Sequence, residues 1–290
     1  MKKKLFEGSL FTAGASLWWG VIGVIYFKYV SFASPVELTI HRTIWTAVLL
    51  IFTTFYFGKW SEFKKISKSL NTLGLLFLTG VLVSINWFTW LYSISINNML
   101  DASLGYYIFP ILSVFLGRIF LKEQINRNKA IAILLVFISI IYLLIQFKDI
   151  PWIGLTVAIT FSFYTLIRKK INISSDIGLF FETLLISPIA LILFGSLVFN
   201  NTNVFGFENP TLSFYLFFAG FMTLIPLFMY IKGFELIGIG PASMIFFLTP
   251  TAQFFLSIFY LGQPLEIEKL ISFLFIWIAV IIYLNELRKE

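Results

Sequence analysis

The chain has no cysteine, one histidine and few charges, with Asp, Glu, Lys and Arg making up 12% of its 290 residues. Each shortage excludes something. Without thiols there is no disulfide, iron–sulfur cluster or thiolate zinc site, and one histidine cannot build a multi-histidine metal centre. Neither a cofactor nor a metal is expected. Soluble domains carry about 25% charged residues, so water is not this chain's main solvent. The longest polar stretch is Gly58–Leu70, which leaves no room between the apolar segments for a nucleotidase, receptor or DNA-binding domain. A phosphate-cradling Gly-x-x-x-x-Gly-Lys-Ser/Thr loop is absent too, because Gly58-Lys59 runs into Trp60 and lacks the upstream glycine. ATP is therefore not the direct energy source. Neither Gly-x-Ser-x-Gly nor His-Glu-x-x-His occurs, so the chain does not read as an intramembrane enzyme.

What is present is apolar length. Hydrophobic residues make up 59% of the chain, in runs of about 20 residues, enough to cross a hydrocarbon core of about 30 Å as a helix. Lipid admits only helices or closed barrels, and runs without alternation mean helices. Ten spans are expected: Leu5–Phe27, Pro35–Phe57, Asn71–Ile96, Ala102–Leu121, Asn128–Gln146, Pro151–Ile167, Asp176–Phe199, Thr211–Ile231, Pro241–Leu261 and Glu268–Leu287. The net charge of +7 reflects topology rather than nucleic acid. If the first span leaves the cytoplasm, Lys2–Lys4, Lys59, Lys64, Lys65, Lys68, Arg118, Lys122, Arg127, Lys129, Arg168–Lys170, Lys232, Arg288 and Lys289 all fall inside. Only Lys28, Lys148 and Lys269 lie near the opposite face. The positive-inside rule then places both termini in the cytoplasm of a bacterial inner-membrane protein. The opening Lys2-Lys3-Lys4 and Ser31-Phe32-Ala33 imitate a signal peptide and its cleavage site. The apolar run, however, is about 23 residues against 7–15 for a signal core, so the first helix is expected to be retained.

Weak internal repetition is also legible. Pro110–Leu121 lies over Pro250–Leu261, Ile140–Leu143 over Ile281–Leu284, and at nearly the same offset His41 falls on Glu182. Each half holds five spans, and an odd number inverts the second half relative to the first. Residues 1–147 and 148–290 therefore read as two inverted repeats, an arrangement of secondary transporters that bind substrate near the midplane.

Ionisable residues inside spans carry the most information, since a charge at a helix centre costs about 2.5–3.5 kcal/mol on insertion scales and usually marks a substrate or proton path. Glu37 and His41 are four apart on one face of the second span, with Arg42 beside them about 10 Å past Pro35. The plainer alternative has Glu37 at its helix N-terminus and His41 and Arg42 bonded to backbone. Glu182 sits at mirrored depth in the seventh span. Asn86, Trp90, Tyr106 and Tyr107 add polar atoms near mid-span, and Pro110, Pro188, Pro226 and Pro250 interrupt helices where freed carbonyls can line a cavity. Asp101 reads as an N-cap, Glu123 as a solvated helix end, and the 36 phenylalanines as apolar filler.

Together, Glu37-Leu-Thr-Ile-His41-Arg42-Thr-Ile-Trp45, Asn86-Trp87, Leu100-Asp101-Ala-Ser103-Leu-Gly105-Tyr106 and Arg168-Lys169-Lys170 resemble the RarD-type proteins of the EamA family, in the drug/metabolite transporter superfamily, over nearly the whole chain. The resemblance implies two inverted five-helix repeats around a central cavity that moves amino acids, drugs or other small metabolites. It carries over to His41, Arg42, Asn86, Asp101, Tyr106 and Glu182. Where the family has Gly-Glu after the ninth span, this chain has Gly262-Gln263, while Glu123 keeps the first-repeat equivalent. The expectation is an all-α secondary transporter working by alternating access. Arg42, Asn86, Trp90, Tyr106 and Tyr107 would bind substrate, and Glu37, His41 and Glu182 would couple or gate. Its partners would be a small-molecule substrate, protons if coupled, and the bilayer, with no nucleic acid. A passive facilitator, or a sensor without flux, are the rival readings.

Overall fold

The computed structural model describes residues 2–96, 99–145, 151–259, 267–287 and 289. They form helices α1 (Lys2–Leu17), α2 (Val24–Tyr29), α3 (Pro35–Tyr56), α4 (Trp60–Ile66), α5 (Leu70–Ser95), α6 (Met99–Leu121), α7 (Arg127–Ile145), α8 (Trp152–Ile171), α9 (Ser175–Phe199), α10 (Pro210–Ile237), α11 (Ile239–Phe246), α12 (Leu248–Phe259) and α13 (Ile267–Leu287). Local chemistry sets several boundaries. Ser34 Oγ accepts the Glu37 N–H at 3.1 Å with Pro35 opening α3, and Asn209 Oδ1 accepts the Leu212 N–H at 3.2 Å with Pro210 opening α10. A side-chain acceptor and a pre-set proline φ suit the first turn, whose N–H groups lack intrahelical partners. At the other end of α10, Gly238 adopts φ +90°, which releases the chain into α11 at no steric cost.

Seven helical segments among the described residues are long and apolar enough to cross a membrane: Lys3–Tyr29, Pro35–Tyr56, Leu70–Ser95, Ser175–Phe199, Pro210–Ile237, Ile239–Leu256 and Leu270–Leu287, with Gly105–Leu121 a shorter apolar helix. Phe52, Phe55, Ile192 and Phe199 are 67–87% exposed, an outward apolar surface that water would not tolerate on this scale. The chain is a multi-pass helical membrane protein. The expected sixth span is α8, whose apolar character is diluted by Thr160, Ser162, Tyr164, Thr165 and Arg168, all buried inside the bundle.

Four differences from the sequence expectation have physical causes. The first span is not uniformly α-helical: Trp18–Gly23 forms a π-helical turn between α1 and α2, an insertion often found at functional sites. The ninth span is broken at Phe247 into α11 and α12, and Pro250 lies in the first turn of α12, where its missing N–H costs nothing. The polar stretch after α3 contains a helix of its own, α4, whose Phe63 ring stacks on Phe181 at 4.4 Å. Asp101 lies within the first turn of α6 rather than before it, and its side chain, like Gln263, lies outside the described residues.

Helices in lipid gain nothing hydrophobic by meeting, so close approach and polar bonds must hold them. Here α1 packs on α10 and α5 on α8, α3 pairs with α9 and α7 with α13, and α6 lies between α8 and α11. Glycines set two of the crossings. A Cβ at Gly80 of α5 would stand 2.8 Å from the Glu182 carbonyl oxygen of α9, and one at Gly220 of α10 would stand 2.6 Å from Trp45 Cβ of α3. Buried hydroxyls close on their own helices, as with Thr12 to the Gly8 carbonyl and Ser16 to the Thr12 carbonyl, both at 2.8 Å, so few polar atoms face lipid.

Gly220→Leu should therefore force α3 from α10 and lower stability by about 1–3 kcal/mol. Gly195→Ala, where nothing lies within 4 Å of the new methyl, should be neutral or stabilise by up to about 1 kcal/mol. Thermal unfolding of the two variants in detergent checks both; equal losses would contradict the packing argument.

Candidate functional site

Three polar constellations lie along the bundle, one near each end and one between. At the end where α3 begins, Glu37 is fully buried and its carboxylate accepts the N–H groups of Val204 (2.8 and 3.0 Å) and Phe205 (2.9 Å) in the segment joining α9 to α10. Those backbone donors satisfy a carboxylate that would otherwise be costly to bury. His41 stands one turn further in. Its Nδ1 accepts the Trp45 indole N–H at 3.1 Å, while its Nε2 lies 3.8 Å from Glu37 Oε1. An accepting Nδ1 leaves the ring proton on Nε2, facing Glu37. Phe205 covers the imidazole at 4.7 Å between centroids and Phe194 meets it edge-on at 5.6 Å, so this end is closed by aromatic rings.

Between the ends is a small cavity lined by Trp19, Gly23, Phe27, Arg42, Asn86 and Trp87, together with Trp90, Tyr106, Phe161 and Phe246. The first eight come from α2, α3, α5, α6 and the π-helical turn; the last two come from α8 and α11. Arg42 is buried at 4% exposure. Its Nε donates to Thr223 Oγ1 at 2.9 Å, Thr223 in turn donates to the Ala219 carbonyl at 2.8 Å, and the guanidinium carbon lies 4.7 Å from the Phe27 ring centre and 4.5 Å from that of Trp87. Cation–π attraction holds the planar group between two rings, and among the described residues no carboxylate lies within ion-pair distance of it. Asn86 Nδ2 donates to the Val157 carbonyl at 2.9 Å and to Thr160 Oγ1 at 3.2 Å, tying α5 to α8 and leaving the carboxamide oxygen for a cavity ligand. The cavity is small, about 30 Å³.

At the other end, Arg168 and Glu182 form a fully buried ion pair, Nε to Oε1 at 3.2 Å. Glu182 also accepts Thr79 Oγ1 at 2.7 Å and Tyr164 OH at 3.1 Å. Gly178 admits the guanidinium, since any Cβ there would collide with Arg168 Nη1. Nearby, Lys59 pairs with Asp176, and Ser174 donates to Glu62 at 2.6 Å, fastening the start of α9 to the segment after α3. Lys169 Nζ donates to the Phe234 and Glu235 carbonyls at the end of α10, 2.9 Å each, where a cation suits the helix dipole. Phe161 links this network to the cavity: it lines the cavity and stacks on Tyr164 at 5.7 Å with a 4° interplanar angle.

Arg42, Asn86, Trp90 and Tyr106 are thus brought together, while Glu37 with His41, and Glu182, lie in separate clusters on either side. Tyr107 is not in the cavity. It packs on Phe273 of α13 at 5.3 Å, as adjacent helical residues must point about 100° apart. Two expectations are corrected. Arg168 is not a solvated basic residue but the buried partner of Glu182. Glu123 is not a solvated helix end: it accepts the Ile239 and Gly240 N–H groups at 2.8 and 2.9 Å, capping α11 from another part of the chain. Trp19, Phe27, Trp87, Phe161 and Phe246 went unread because aromatic residues in a span look like filler.

A ten-residue aromatic and polar cavity lies inside a multi-pass helical membrane bundle, and comparison with known proteins gives its class. Residues 6–145 match the EamA-like transporter family. An uncharacterized transporter, YojE, of Bacillus subtilis is 32% identical over 96% of this chain and 93% of its own. The protein RarD of Salmonella typhi is 31% identical over 98% of this chain and 96% of its own. A crystal structure at 14% identity superposes with a TM-score of 0.71 over 97% of this chain and 98% of that one, a likeness of fold. The chain belongs to the RarD-type group of the EamA family.

Removing one charge of the Arg168–Glu182 pair leaves the other buried and uncompensated, which typically costs about 3–5 kcal/mol. Glu182→Gln should lose that much, and adding Arg168→Met should restore most of it. Unfolding of the single and double variants in detergent measures the coupling; additive losses would contradict a mutual pair.

Proposed function

We propose that the protein is a secondary transporter of small organic metabolites, such as amino acids, related compounds or drugs. It works by alternating access through the central cavity between two inverted five-helix repeats, residues 1–147 and 148–290. Both termini lie on the cytoplasmic face of the bacterial inner membrane, where the basic residues collect. The observation that carries this reading is a solute-sized set of lining groups shut at both ends by contacts that exchange between the halves. Glu37, in the first turn of α3, grips the segment after α9, while Asp176, in the first turn of α9, grips the segment after α3. The packing exchanges in the same way, α1 on α10 against α8 on α5, and Gly220 against α3 mirrors Gly80 against α9. An inverted repeat explains why opposite ends carry equivalent closures, and rocking one half against the other would break one set while keeping its counterpart.

Substrate would meet Arg42, Asn86, Trp90 and Tyr106, with Tyr107 acting through the packing of α6. Glu37 and His41 gate one side and Glu182 the other. His41, whose ring bridges Trp45 and Glu37, is the candidate coupling group. The test is flux of a panel of solutes into proteoliposomes with and without an imposed pH gradient. Saturable uptake that rises with the gradient is expected, and His41→Ala should lose that rise while retaining saturable exchange. Uptake indifferent to the gradient would make the protein a facilitator, and no flux in a folded preparation would favour a sensor.

A further inference from the structure

The cavity's charge has not been accounted for. Arg42 is buried, yet among the described residues its lining neighbours include no Asp or Glu, and the carboxylate on its own helix, Glu37, is committed to Val204, Phe205 and His41. The buried Arg168, by contrast, has Glu182, and the buried Glu37 has backbone N–H groups. Leaving a guanidinium desolvated and without an anion is unfavourable unless an anion arrives.

We infer that the solute this cavity takes is a small organic monoanion, a carboxylate carried on a planar, largely apolar body, with Arg42 binding the carboxylate and the surrounding rings holding the body. The inference rests on the transporter reading of the same cavity. Three features direct it. Nε is anchored to Thr223, and the guanidinium carbon lies 4.7 Å from the Phe27 ring centre and 4.5 Å from that of Trp87. The edge carrying the two terminal nitrogens, which make no hydrogen bond among the described residues, is therefore what remains for a ligand, and it matches a carboxylate in fork geometry. The other lining side chains are mainly aromatic, with Trp19, Trp90, Phe161 and Phe246 supplying flat apolar surface. Among the described lining residues the Asn86 oxygen and the Tyr106 hydroxyl are neutral, so a substrate ammonium finds no carboxylate there and is repelled by Arg42, which narrows the solutes proposed above to those without one. Simple amines are excluded on the same ground.

The test uses the full chain in lipid nanodiscs. Probes are benzoate, phenylacetate and indole-3-acetate, each beside its neutral amide and an amine of like shape, with chloride as an inorganic control. Binding is read by ligand-dependent thermal stabilisation and by inhibition of proteoliposome flux. At least one carboxylate should bind about 10- to 100-fold more tightly than its amide, as charge-assisted bonds allow, and the amines should not bind. Arg42→Gln should collapse the carboxylate-to-amide ratio towards one, and Arg42→Lys should keep part of it. If Arg42→Gln does not fold, the wild-type ratios decide alone. Amides or amines binding as tightly as carboxylates would overturn the inference, as would a carboxylate preference that survives in Arg42→Gln, or chloride competing as well as the organic acids. Carboxylate binding without flux of any solute would uphold the anion site while removing the transporter reading. Flux of neutral or cationic solutes that no carboxylate inhibits would do the reverse.

Discussion

In hydrocarbon, two apolar helices gain no hydrophobic free energy by touching, because lipid solvates them as well as they solvate each other. What binds this bundle must therefore be close packing at small residues and polar bonds that lipid cannot replace. Gly80 and Gly220 bring backbones together where any side chain would hold them apart. The hydroxyls of Thr12, Ser16 and Thr223 close on carbonyls of their own helices, and Asn86 reaches from α5 to Val157 and Thr160 on α8. Each such bond is worth about 1 kcal/mol, modest enough that contacts of this kind can be exchanged during a conformational cycle.

Charge is distributed under the same constraint. Buried carboxylates near the bundle ends are satisfied within the protein, Glu37 by two backbone N–H groups and Glu182 by Arg168, Thr79 and Tyr164, and the half-buried Glu123 is met by the first turn of α11. Each spans two elements distant in sequence, so neutralising a charge and holding a closure are one event. In the middle, Arg42 is held by aromatic rings and a hydroxyl. A cation held this way keeps its N–H edge available, whereas an ion pair would have consumed it.

Much of this arrangement was legible in the sequence, for a physical reason. A span must be apolar for about 20 residues, so spans announce themselves, and a charge inside one is rare enough to mark a site. Glu37, His41, Arg42 and Glu182 were singled out by that signal, and all four are buried in the bundle. The failures have the same origin. Arg168 follows an apolar run and precedes Lys169 and Lys170, so by sequence it belongs to the solvated end of its helix; only the notch at Gly178 takes it inward. Glu123 sits beside Lys122 in a polar connection, and nothing local tells of α11 arriving above it. Tyr106 and Tyr107 are equivalent in composition and differ only in helical phase, which sorts one to the cavity and the other to Phe273. The aromatic lining is hidden for the most general reason: in a chain with 36 phenylalanines, a ring facing a solute and a ring facing lipid are written alike.

The closed cavity also bears on selectivity. At about 30 Å³ it holds no organic solute, and the space is taken by the rings that would line it. Trp19, Phe161, Tyr230 and Phe246 pack on one another at 5.4–6.0 Å between centroids. A solute must therefore replace ring–ring contacts with ring–solute contacts of comparable worth, and a flat apolar body does so at least cost. A small inorganic ion could meet Arg42 but could not replace the lost ring contacts, and a bulky polar solute would strand buried polar atoms. The π-helical turn at Trp18–Gly23, which contributes Trp19 and Gly23 to the lining, is the element best suited to absorb the difference, since its hydrogen bonds can revert to the α register without breaking the span. On the reading proposed above, opening and recognition would draw on the same residues, and a solute able to substitute for the protein's own aromatic packing would hold the opened cavity.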